Sequence, residues 1–255
     1  MKKRSWIRHR TIAVFLLGLA CLLSGPNFNW AQTVRDEYEH TAQWLATLLN
    51  AGRLVIKHNQ PLIDDPRRGE KGFTPEVFER QVLDEFFKQT SIDLTRPPSE
   101  FPTLARQLLS ELMQSSKQVV AEAQLVINQR GIGYKNFIPA TFGSQAAHKF
   151  SLRSQVKIKQ TTLNPRNPKN TPDPYETTIL QRLAAQPLTR SPVIEWTDAG
   201  TVLRVVSPIY YSEDCLACHG TPKGILDISG YPREGAREGE FAGAISVQIP
   251  LKGIH

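Results

Sequence analysis

The stretch VIEWTDAGTVLRVVSPIYYSEDCLACH, at residues 193–219, contains the clearest structural pattern in this sequence. β-Branched and aromatic residues dominate Val193–Trp196 and again Val202–Tyr210, and Asp198-Ala199-Gly200 separates the two runs. Two strand-forming runs joined by a short turn with Asp and Gly are typical of a β-hairpin. We therefore predict an antiparallel hairpin in the C-terminal half of the chain.

The same stretch ends in Cys215-Leu216-Ala217-Cys218-His219, the C-x-x-C-H pattern at which haem c is attached. Two thioether bonds to the vinyl groups on one porphyrin edge need two sulfurs about one turn apart that face the same way. A gap of two residues allows this, and the following histidine can then bind the iron as an axial ligand. The spacing predicts one covalent haem c, attached through Cys215 and Cys218, with His219 as the iron ligand.

Three other interpretations of the motif are weaker. A thioredoxin-like redox pair normally opens a helix after a strand in a βαβ unit, whereas here a loop rich in Gly and Pro follows. A zinc ribbon needs a second ligand pair, but the chain has three cysteines and the third, Cys21, lies in an N-terminal apolar segment. A disulfide between Cys215 and Cys218 would leave the adjoining His219 unexplained. An exported thiol-disulfide oxidoreductase remains the alternative.

Residues 1–31 have the organisation of an export signal. Basic residues come first, an apolar run follows over Thr11–Leu23, and Ser24-Gly25-Pro26 ends it. The run is short for a membrane span, which needs about 20 residues. Because Asn29-Trp30-Ala31 is a poor cleavage site, an uncleaved anchor is the alternative, and Cys21 is a weak lipidation candidate. We expect an exported protein in the periplasm or an equivalent lumen, with membrane contact only through this segment.

Export also changes how the charge is interpreted. Removing the five basic residues of the segment takes Lys plus Arg from 31 to 26 against 24 Asp plus Glu, so the formal net charge falls from +7 to +2. No concentrated basic stripe with interleaved aromatic residues remains, and nucleic-acid binding is not expected. Cys215 and Cys218 are then the remaining cysteines.

The region at residues 32–130 is predicted to be helical. Apolar residues recur at helical spacing over Val34–His58. Thr74 is a predicted N-cap with Pro75 at the first helical position, and this second helix ends before Arg96-Pro97-Pro98. A third helix is predicted over Thr103–Gln129. Its expected buried stripe consists of Leu108, Leu109, Leu112, Val119, Val120, Ala123, Val126 and Ile127.

In residues 131–255 the apolar residues recur at shorter spacings, and turn residues are more frequent. We predict an α+β region there. A short helix is expected over Phe142–Leu152, a strand over Val156–Thr162 and another helix over Glu176–Ala185. The hairpin follows, and Phe241–Ile249 alternates as a final strand would. The predicted fold class is α+β, with long N-terminal helices followed by an antiparallel sheet.

Three stretches together resemble a family of bacterial haem c proteins that have a PAS-like domain. They are GYKNFIPA at residues 133–140, RNPKNTPDPYE at 166–176, and the segment from Pro208 through the haem motif to Val247. Members are exported standalone proteins or extracytoplasmic sensor modules of histidine kinases and cyclases. The resemblance covers about residues 115–251 and implies a PAS-like haem c domain at 131–255, with Cys215 and Cys218 attaching the haem and His219 as proximal ligand.

The resemblance also concerns the sixth iron ligand. Some members use a cysteine in a helix upstream of the RNP string, and the corresponding position lies near Pro139. A chain without its signal has no cysteine there, which excludes Cys/His ligation. A strong protein ligand would imply electron transfer or redox sensing, whereas a vacant position would admit NO or CO. The candidate residues are His40, His58, His148, Met113 and Lys135, and a vacant site is the remaining alternative.

Residues beside these strings have two interpretations. Arg166 could pair with Glu176 across a proline-rich turn, which would be purely structural. Alternatively, Arg166 or Lys169 could neutralise haem propionates. Trp196, Tyr210 and Tyr211 are expected to pack in the core or against the haem rather than to act in catalysis.

The sequence thus favours a non-enzymatic, exported haem c protein that acts in redox or gas sensing or in electron transfer. A partner protein would receive the electron or the signal, because the chain contains no kinase or cyclase domain. A haem enzyme of the peroxidase or reductase type is the alternative, and it would need distal acid-base groups beside an open iron site.

Overall fold

The computed structural model describes residues 30–186 and 190–251. Most of the predicted export segment, including Cys21, and the C-terminal His255 lie outside the described residues. Helices α1 to α4 precede the sheet, and α5 and α6 flank its first strand. The helices are α1 (Trp30–Ile63), α2 (Pro75–Thr90), α3 (Thr103–Glu122), α4 (Gln124–Ile127), α5 (Pro139–Ser154), α6 (Pro174–Ala185) and α7 (Leu216–His219).

The strands are β1 (Lys157–Thr161), β2 (Val193–Thr197), β3 (Val202–Tyr210) and β4 (Phe241–Pro250). They form one antiparallel sheet in the order β1-β4-β3-β2. The predicted hairpin is β2 and β3, with Val193 opposite Val206. Long helices followed by an antiparallel sheet confirm the predicted α+β class.

Local sequence explains where α2 begins and ends. The Thr74 hydroxyl accepts a hydrogen bond from the Val77 N–H at 3.3 Å, and Pro75 occupies the first turn, where its missing N–H costs nothing. Ser91, in the left-handed region, ends the helix, and its N–H donates to the Phe87 carbonyl. The predicted N-cap is confirmed.

The predicted helix over Thr103–Gln129 is interrupted, which is a correction. α3 ends at Glu122, and the Val126 N–H donates to the Ala123 carbonyl three residues back at 3.0 Å. A turn tightened in this way rotates the following residues about the helix axis. As a result Val126 is 42% exposed instead of buried, while Ile127 remains buried.

Helices α1 to α5 share one hydrophobic core with the sheet, whereas α6 packs against Val206 and Ala244 in a second, smaller cluster. α1 packs against α2, α3 and α5 and also against β3 and β4. Phe142 of α5 is fully buried, with its ring centroid 5.2 Å from that of Phe78 of α2. The same cluster includes Leu49 of α1 and Val205 of β3. The helical region therefore determines how the sheet and its loops are positioned.

A glycine is required where β3 and β4 lose regular register. The irregularity lies between Ile209 and Tyr210, opposite Gly243. Gly243 has a φ of +147°, and a Cβ atom there would lie 2.5 Å from the Thr161 carbonyl oxygen. Only glycine allows β1 to approach β4 this closely. The chain leaves the sheet at this end of β3 and enters the cysteine motif.

None of the helices found in residues 30–186 and 190–251 is both long enough and apolar enough to cross a membrane.

Candidate haem-attachment site

The cysteine motif forms a single helical turn just after β3. A 3-10 turn at Glu213–Cys215 leads into α7, and the Gly220 N–H donates to the Leu216 carbonyl at 2.9 Å to end it. Cys215 and Cys218 are three residues apart on this turn, and both are free thiols of intermediate exposure. This is the arrangement that the motif spacing predicts.

His219 is oriented by Glu234, a residue from the loop that joins α7 to β4. The His219 Nδ1 and a Glu234 carboxylate oxygen lie 2.7 Å apart. Burial raises the pKa of Glu234, but hydrogen bonds from Arg166 and His219 outweigh it and lower the pKa below its ordinary value. An ionised carboxylate only accepts, so Nδ1 carries a hydrogen and Nε2 is the ring nitrogen left for another partner. Metal-binding histidines have this kind of support.

Two further contacts position His219. The ring of Tyr211 lies 5.2 Å from the imidazole, centroid to centroid. The Ala236 N–H donates to the His219 carbonyl at 2.8 Å. Burial, followed by the negative charge of Glu234, raises the pKa of Tyr211 to about 12. The ring therefore stays neutral and serves as a packing surface.

Arg166 joins the motif to the loop at residues 221–240. Its Nη1 donates to Asp227 at 2.7 Å, its Nε and Nη2 donate to the two oxygens of Glu234 at 2.7 and 2.9 Å, and Nη2 also reaches the Cys218 carbonyl at 3.0 Å. Such paired contacts between a guanidinium and a carboxylate are strong and geometrically specific. Arg166 thus fixes the position of the carboxylate that orients His219.

The predicted pairing of Arg166 with Glu176 is wrong. Glu176 belongs to a capping box at the start of α6 with Asp173, and its side chain also binds Lys159 at 2.8 Å. In this capping box the carboxylate of Glu176 accepts from the backbone N–H of Asp173, the residue just before α6. Arg166 points instead toward the motif loop.

Asp227 is the buried anchor of that loop. Its carboxylate accepts from the Ser229 N–H and hydroxyl at 2.8 and 2.6 Å, from the Tyr231 N–H at 3.1 Å and from Arg166. Burial raises the pKa of Asp227, but these hydrogen bonds outweigh it and hold the pKa well below its usual range. An ionised, fully bonded carboxylate therefore underlies the motif.

The environment of Cys218 disfavours dithiol chemistry. Burial raises the pKa of the Cys218 thiol, and the negative charge of Asp227 raises it further. Redox-active cysteine pairs work through a thiolate and are usually placed where the pKa is lowered. The described residues also contain no group of three or more His, Cys, Asp or Glu side chains arranged to hold a bare metal ion.

The residues present fit a covalent haem. The two free thiols on one turn could form the thioether bonds, and the adjoining imidazole could bind the iron. The carboxylate bonded to Nδ1 and the adjacent aromatic ring would support that imidazole. The neighbouring loop also exposes large apolar side chains, which water alone would not favour. These are Ile225, Leu226, Ile228 and Tyr231, which are 45 to 69% exposed.

Comparison with known proteins gives the family of the chain. Residues 31–250 match the family model described as Tll0287-like. The chain belongs to the Tll0287-like family. This result confirms the family resemblance inferred from the three sequence strings.

Among solved structures, this Tll0287-like chain is similar to the cyanobacterial haem-protein Tll0287. The two are 17% identical, and the match covers 58% of this chain and 91% of the other, with a TM-score of 0.38. No curated protein matches the sequence.

The five candidates for a sixth iron ligand lie in different parts of this Tll0287-like chain. Met113 is buried in the hydrophobic core, and the ring of the exposed His40 lies over Trp44. His58 is exposed on α1. Lys135 and His148 line the same cavity of about 810 Å³. Among the described residues, no hydrogen bond or ring contact joins any of the five to α7.

The cavity lies between α5, the end of α3 and the segments that carry Lys135 and Lys169. Lys135 is buried, and its Nζ donates to the Ile132 carbonyl at 2.7 Å. Lys169, a predicted propionate partner, is exposed at the rim. The cavity volume is within the range of about 300–1,000 Å³ that is usual for small-molecule pockets. The cysteine motif does not line this cavity.

Of the three aromatic residues singled out in the sequence, Tyr211 contacts the motif directly. Trp196 packs instead against Tyr38 of α1, with centroids 6.3 Å apart, and its indole N–H donates to Glu39 at 2.6 Å. Tyr210 packs edge-on against Phe241 of β4. All three have packing positions, as expected.

Sequence reasoning missed two basic residues of α1 near the motif. Lys57 binds the Ser212 hydroxyl at 3.3 Å and the Asp214 carboxylate at 3.0 Å. Arg53, one turn earlier, is half-buried and lies within electrostatic range of Cys215. A signal was present, because Arg53 is four residues after the buried Leu49 and so lies on the apolar stripe of α1, where a cation is unusual.

Proposed function

We propose that this protein binds one haem c covalently through Cys215 and Cys218, with His219 as an axial iron ligand, and acts in electron transfer or in redox or gas sensing. The observation that carries the proposal is the hydrogen bond between His219 and Glu234 beside two free thiols on one helical turn. This bond leaves Nε2 as the nitrogen available to a metal.

The chain's own residues would hold the group in three ways. Glu234 orients the imidazole, Arg166 keeps Glu234 and the Cys218 carbonyl in place, and Tyr211 provides an aromatic surface. The exposed apolar side chains of the loop at residues 221–240 would be partly removed from water by an apolar macrocycle. When bound, haem iron supplies one-electron redox chemistry or a site for a small gas.

The proposal includes export to the periplasm or an equivalent lumen. The basic and apolar organisation of residues 1–31 supports it, and the attachment of haem c to bacterial proteins takes place in that compartment. A redox or signalling partner would complete the function.

Mass spectrometry tests the attachment. The full chain, expressed in a host able to mature c-type cytochromes, should carry the mass of one haem. Cys215→Ser and Cys218→Ser should each lose one thioether bond, and the double variant should lose covalent haem entirely. Cys21→Ser is the matched control and should keep it. A wild-type chain found only at the apoprotein mass would overturn the proposal.

Visible spectra separate the proposed roles. If the ferrous protein shifts strongly when CO is added, the iron has an accessible position and gas sensing is favoured. If a low-spin spectrum is unchanged, electron transfer or redox sensing is favoured.

Glu234→Gln should raise the reduction potential by an amount on the order of tens of millivolts. A carboxylate that accepts from Nδ1 makes the imidazole more basic and so stabilises ferric iron, whereas an amide oxygen accepts more weakly. Spectroelectrochemical titration measures the change. Glu238→Gln, which removes the same charge at an exposed position of the same loop, should have a much smaller effect. Equal shifts in the two variants would show that the hydrogen bond is not responsible.

A further inference from the structure

The cavity of about 810 Å³ beside α5 has the form of a small-molecule site. One face of α5 lines it over successive turns, with Thr141, Gln145, His148 and Leu152. The end of α3 and the segments before and after α5 complete the lining. Sites for small molecules are usually concavities of this size that combine apolar walls with a few polar groups.

Lys135 brings a buried positive charge to this cavity. The residue is 6% exposed, and its Nζ donates to the Ile132 carbonyl at 2.7 Å. An ammonium group has three N–H donors, and no carboxylate among the described residues forms an ion pair with this one. Because buried charges in proteins are normally paired, an anion in the cavity would supply the missing partner.

The rest of the lining is also positively charged. Lys149 is paired with Glu122 at 2.8 Å, so these two charges compensate each other. Lys169 is exposed at the rim, and in the part of the chain that the structure describes it has no carboxylate partner. With His148 counted as neutral, the lining has a formal net charge of +2. An anionic ligand is therefore favoured over a neutral or cationic one.

The start of α5 adds to the positive potential. α5 begins at Pro139 without a side-chain cap, and Thr141 in its first turn lines the cavity. The first N–H groups of a helix have no partner within the helix and carry partial positive charge. The segment that carries Lys169 is held near this end, because the Ser144 hydroxyl donates to the Asn170 side chain at 3.2 Å. The charged groups thus gather toward the N-terminal end of α5.

The other end of the cavity is apolar. Leu152, in the last turn of α5, is 76% exposed, and Val126 of α4 is 42% exposed. Both side chains line the cavity. Large apolar side chains exposed in a concave site favour a ligand that has an apolar part of its own.

We propose that this cavity binds an organic carboxylate with an apolar body. The carboxylate group lies at Lys135 and Lys169, and the body extends toward Val126 and Leu152. The inference does not depend on the proposed function, because the cysteine motif does not line the cavity. Lysine binds an anion as a point charge with rotatable donors, so the charged end sets the class of ligand and the apolar end its shape.

Isothermal titration calorimetry of the holoprotein tests the site with trans-cinnamate as the probe. Cinnamate should bind at one site. Cinnamyl alcohol keeps the apolar body but lacks the charge, and it should bind at least about tenfold more weakly. Inorganic phosphate has charge without an apolar body and should also bind more weakly than cinnamate.

Variants assign the charged end. Lys135→Met should weaken cinnamate binding by about tenfold, since it removes the buried charge. Lys169→Met should weaken it by a smaller factor, and because Lys169 is exposed this variant reports even if Lys135→Met does not fold. Lys157→Met removes the same charge at an exposed position of β1 outside the cavity, and it should leave binding unchanged.

The full chain with both motif cysteines replaced by Ser separates the cavity from the haem. This apoprotein should bind cinnamate as the holoprotein does. Binding by the apoprotein alone would overturn the inference, because the haem itself would then occupy the cavity. If the wild-type chain lacked the mass of haem but bound cinnamate, the proposed function would fail and this inference would stand.

Three further results would contradict the proposed site. One is the absence of cinnamate binding by the holoprotein. Another is equal binding of cinnamate and cinnamyl alcohol, or equal binding of cinnamate and phosphate, since the site would then not require both charge and an apolar body. The third is unchanged affinity in both Lys135→Met and Lys169→Met, which would place the carboxylate elsewhere.

Discussion

Asp227→Ala should lower the free energy of unfolding by about 2–4 kcal/mol, because it removes the buried one of the two carboxylates that bind the guanidinium of Arg166. The side chain of Asp227 is fully buried, and that of Arg166 is 22% exposed. Arg166 keeps its two hydrogen bonds to Glu234. The substitution also removes the acceptor for two backbone N–H groups, at Ser229 and Tyr231. Solvent access to Arg166 keeps the expected loss below the largest values known for buried pairs. Urea unfolding followed by circular dichroism measures it.

The control for this prediction is an exposed ion pair. Lys88 lies 3.7 Å from Glu85, and the lysine side chain is 71% exposed. Lys88→Met should have almost no effect, because exposed pairs contribute little to stability. If both variants lost the same amount, the loop at residues 221–240 would not depend on the buried pair.

Low pH should destabilise the folded protein by protonating Asp227 of the same ion pair. The pKa of Asp227 is lowered from 3.8 in the folded protein, so the unfolded chain takes up a proton first as the pH falls. The stability that this carboxylate provides is complete above that unfolded-state value and is lost as the pH falls through the lower folded-state pKa. The wild type should therefore lose stability below about pH 4 more steeply than Asp227→Ala does.

The fold was largely predictable because its patterns are local. Helical periodicity, the Thr74 cap and the Asp198–Gly200 turn each concern residues a few positions apart, and all three predict the observed elements. The break after Glu122 could not be predicted in this way. No Gly or Pro marks it, and Val126 continues the apolar spacing although it faces outward.

Only the site residues that are adjacent in the sequence could be predicted. Cys215, Cys218 and His219 form one continuous motif, so their spacing alone indicates the chemistry. Arg166 and Asp227 are 61 residues apart in the chain and meet only through the fold. Spacing along the sequence contains no information about such a contact, and a charged residue in a loop is usually solvated.

The proline-rich string at residues 166–176 now has a physical explanation. Asn167 caps a 3-10 turn by accepting from the Lys169 N–H, and Asp173 and Glu176 form the capping box of α6. These residues determine the course of the backbone. Arg166, at the start of the string, reaches the motif and the carboxylate that orients His219. One segment thus combines a structural role with a role at the candidate site.

The packing of α2 on α1 should be essential for this geometry, and Phe86→Ala should cost about 3–5 kcal/mol of unfolding free energy. Phe86 is fully buried in the core, so its loss removes apolar contacts and leaves a cavity. α1, against which α2 packs, bears both Arg53 and Lys57. Haem incorporation should therefore fall along with stability when Phe86 is truncated. Thermal and urea unfolding of the purified protein measure the stability directly.

Phe87 provides a matched control in the adjacent position of the same helix. Its side chain is 51% exposed, so Phe87→Ala should change stability by no more than about 0.5 kcal/mol. The two variants have the same composition and nearly the same helix propensity, and they differ in the face of α2 that is altered. Equal losses would mean that α2 does not present Phe86 to the core. The α1 face beside Cys215 would then lack the support on which the positions of Arg53 and Lys57 depend.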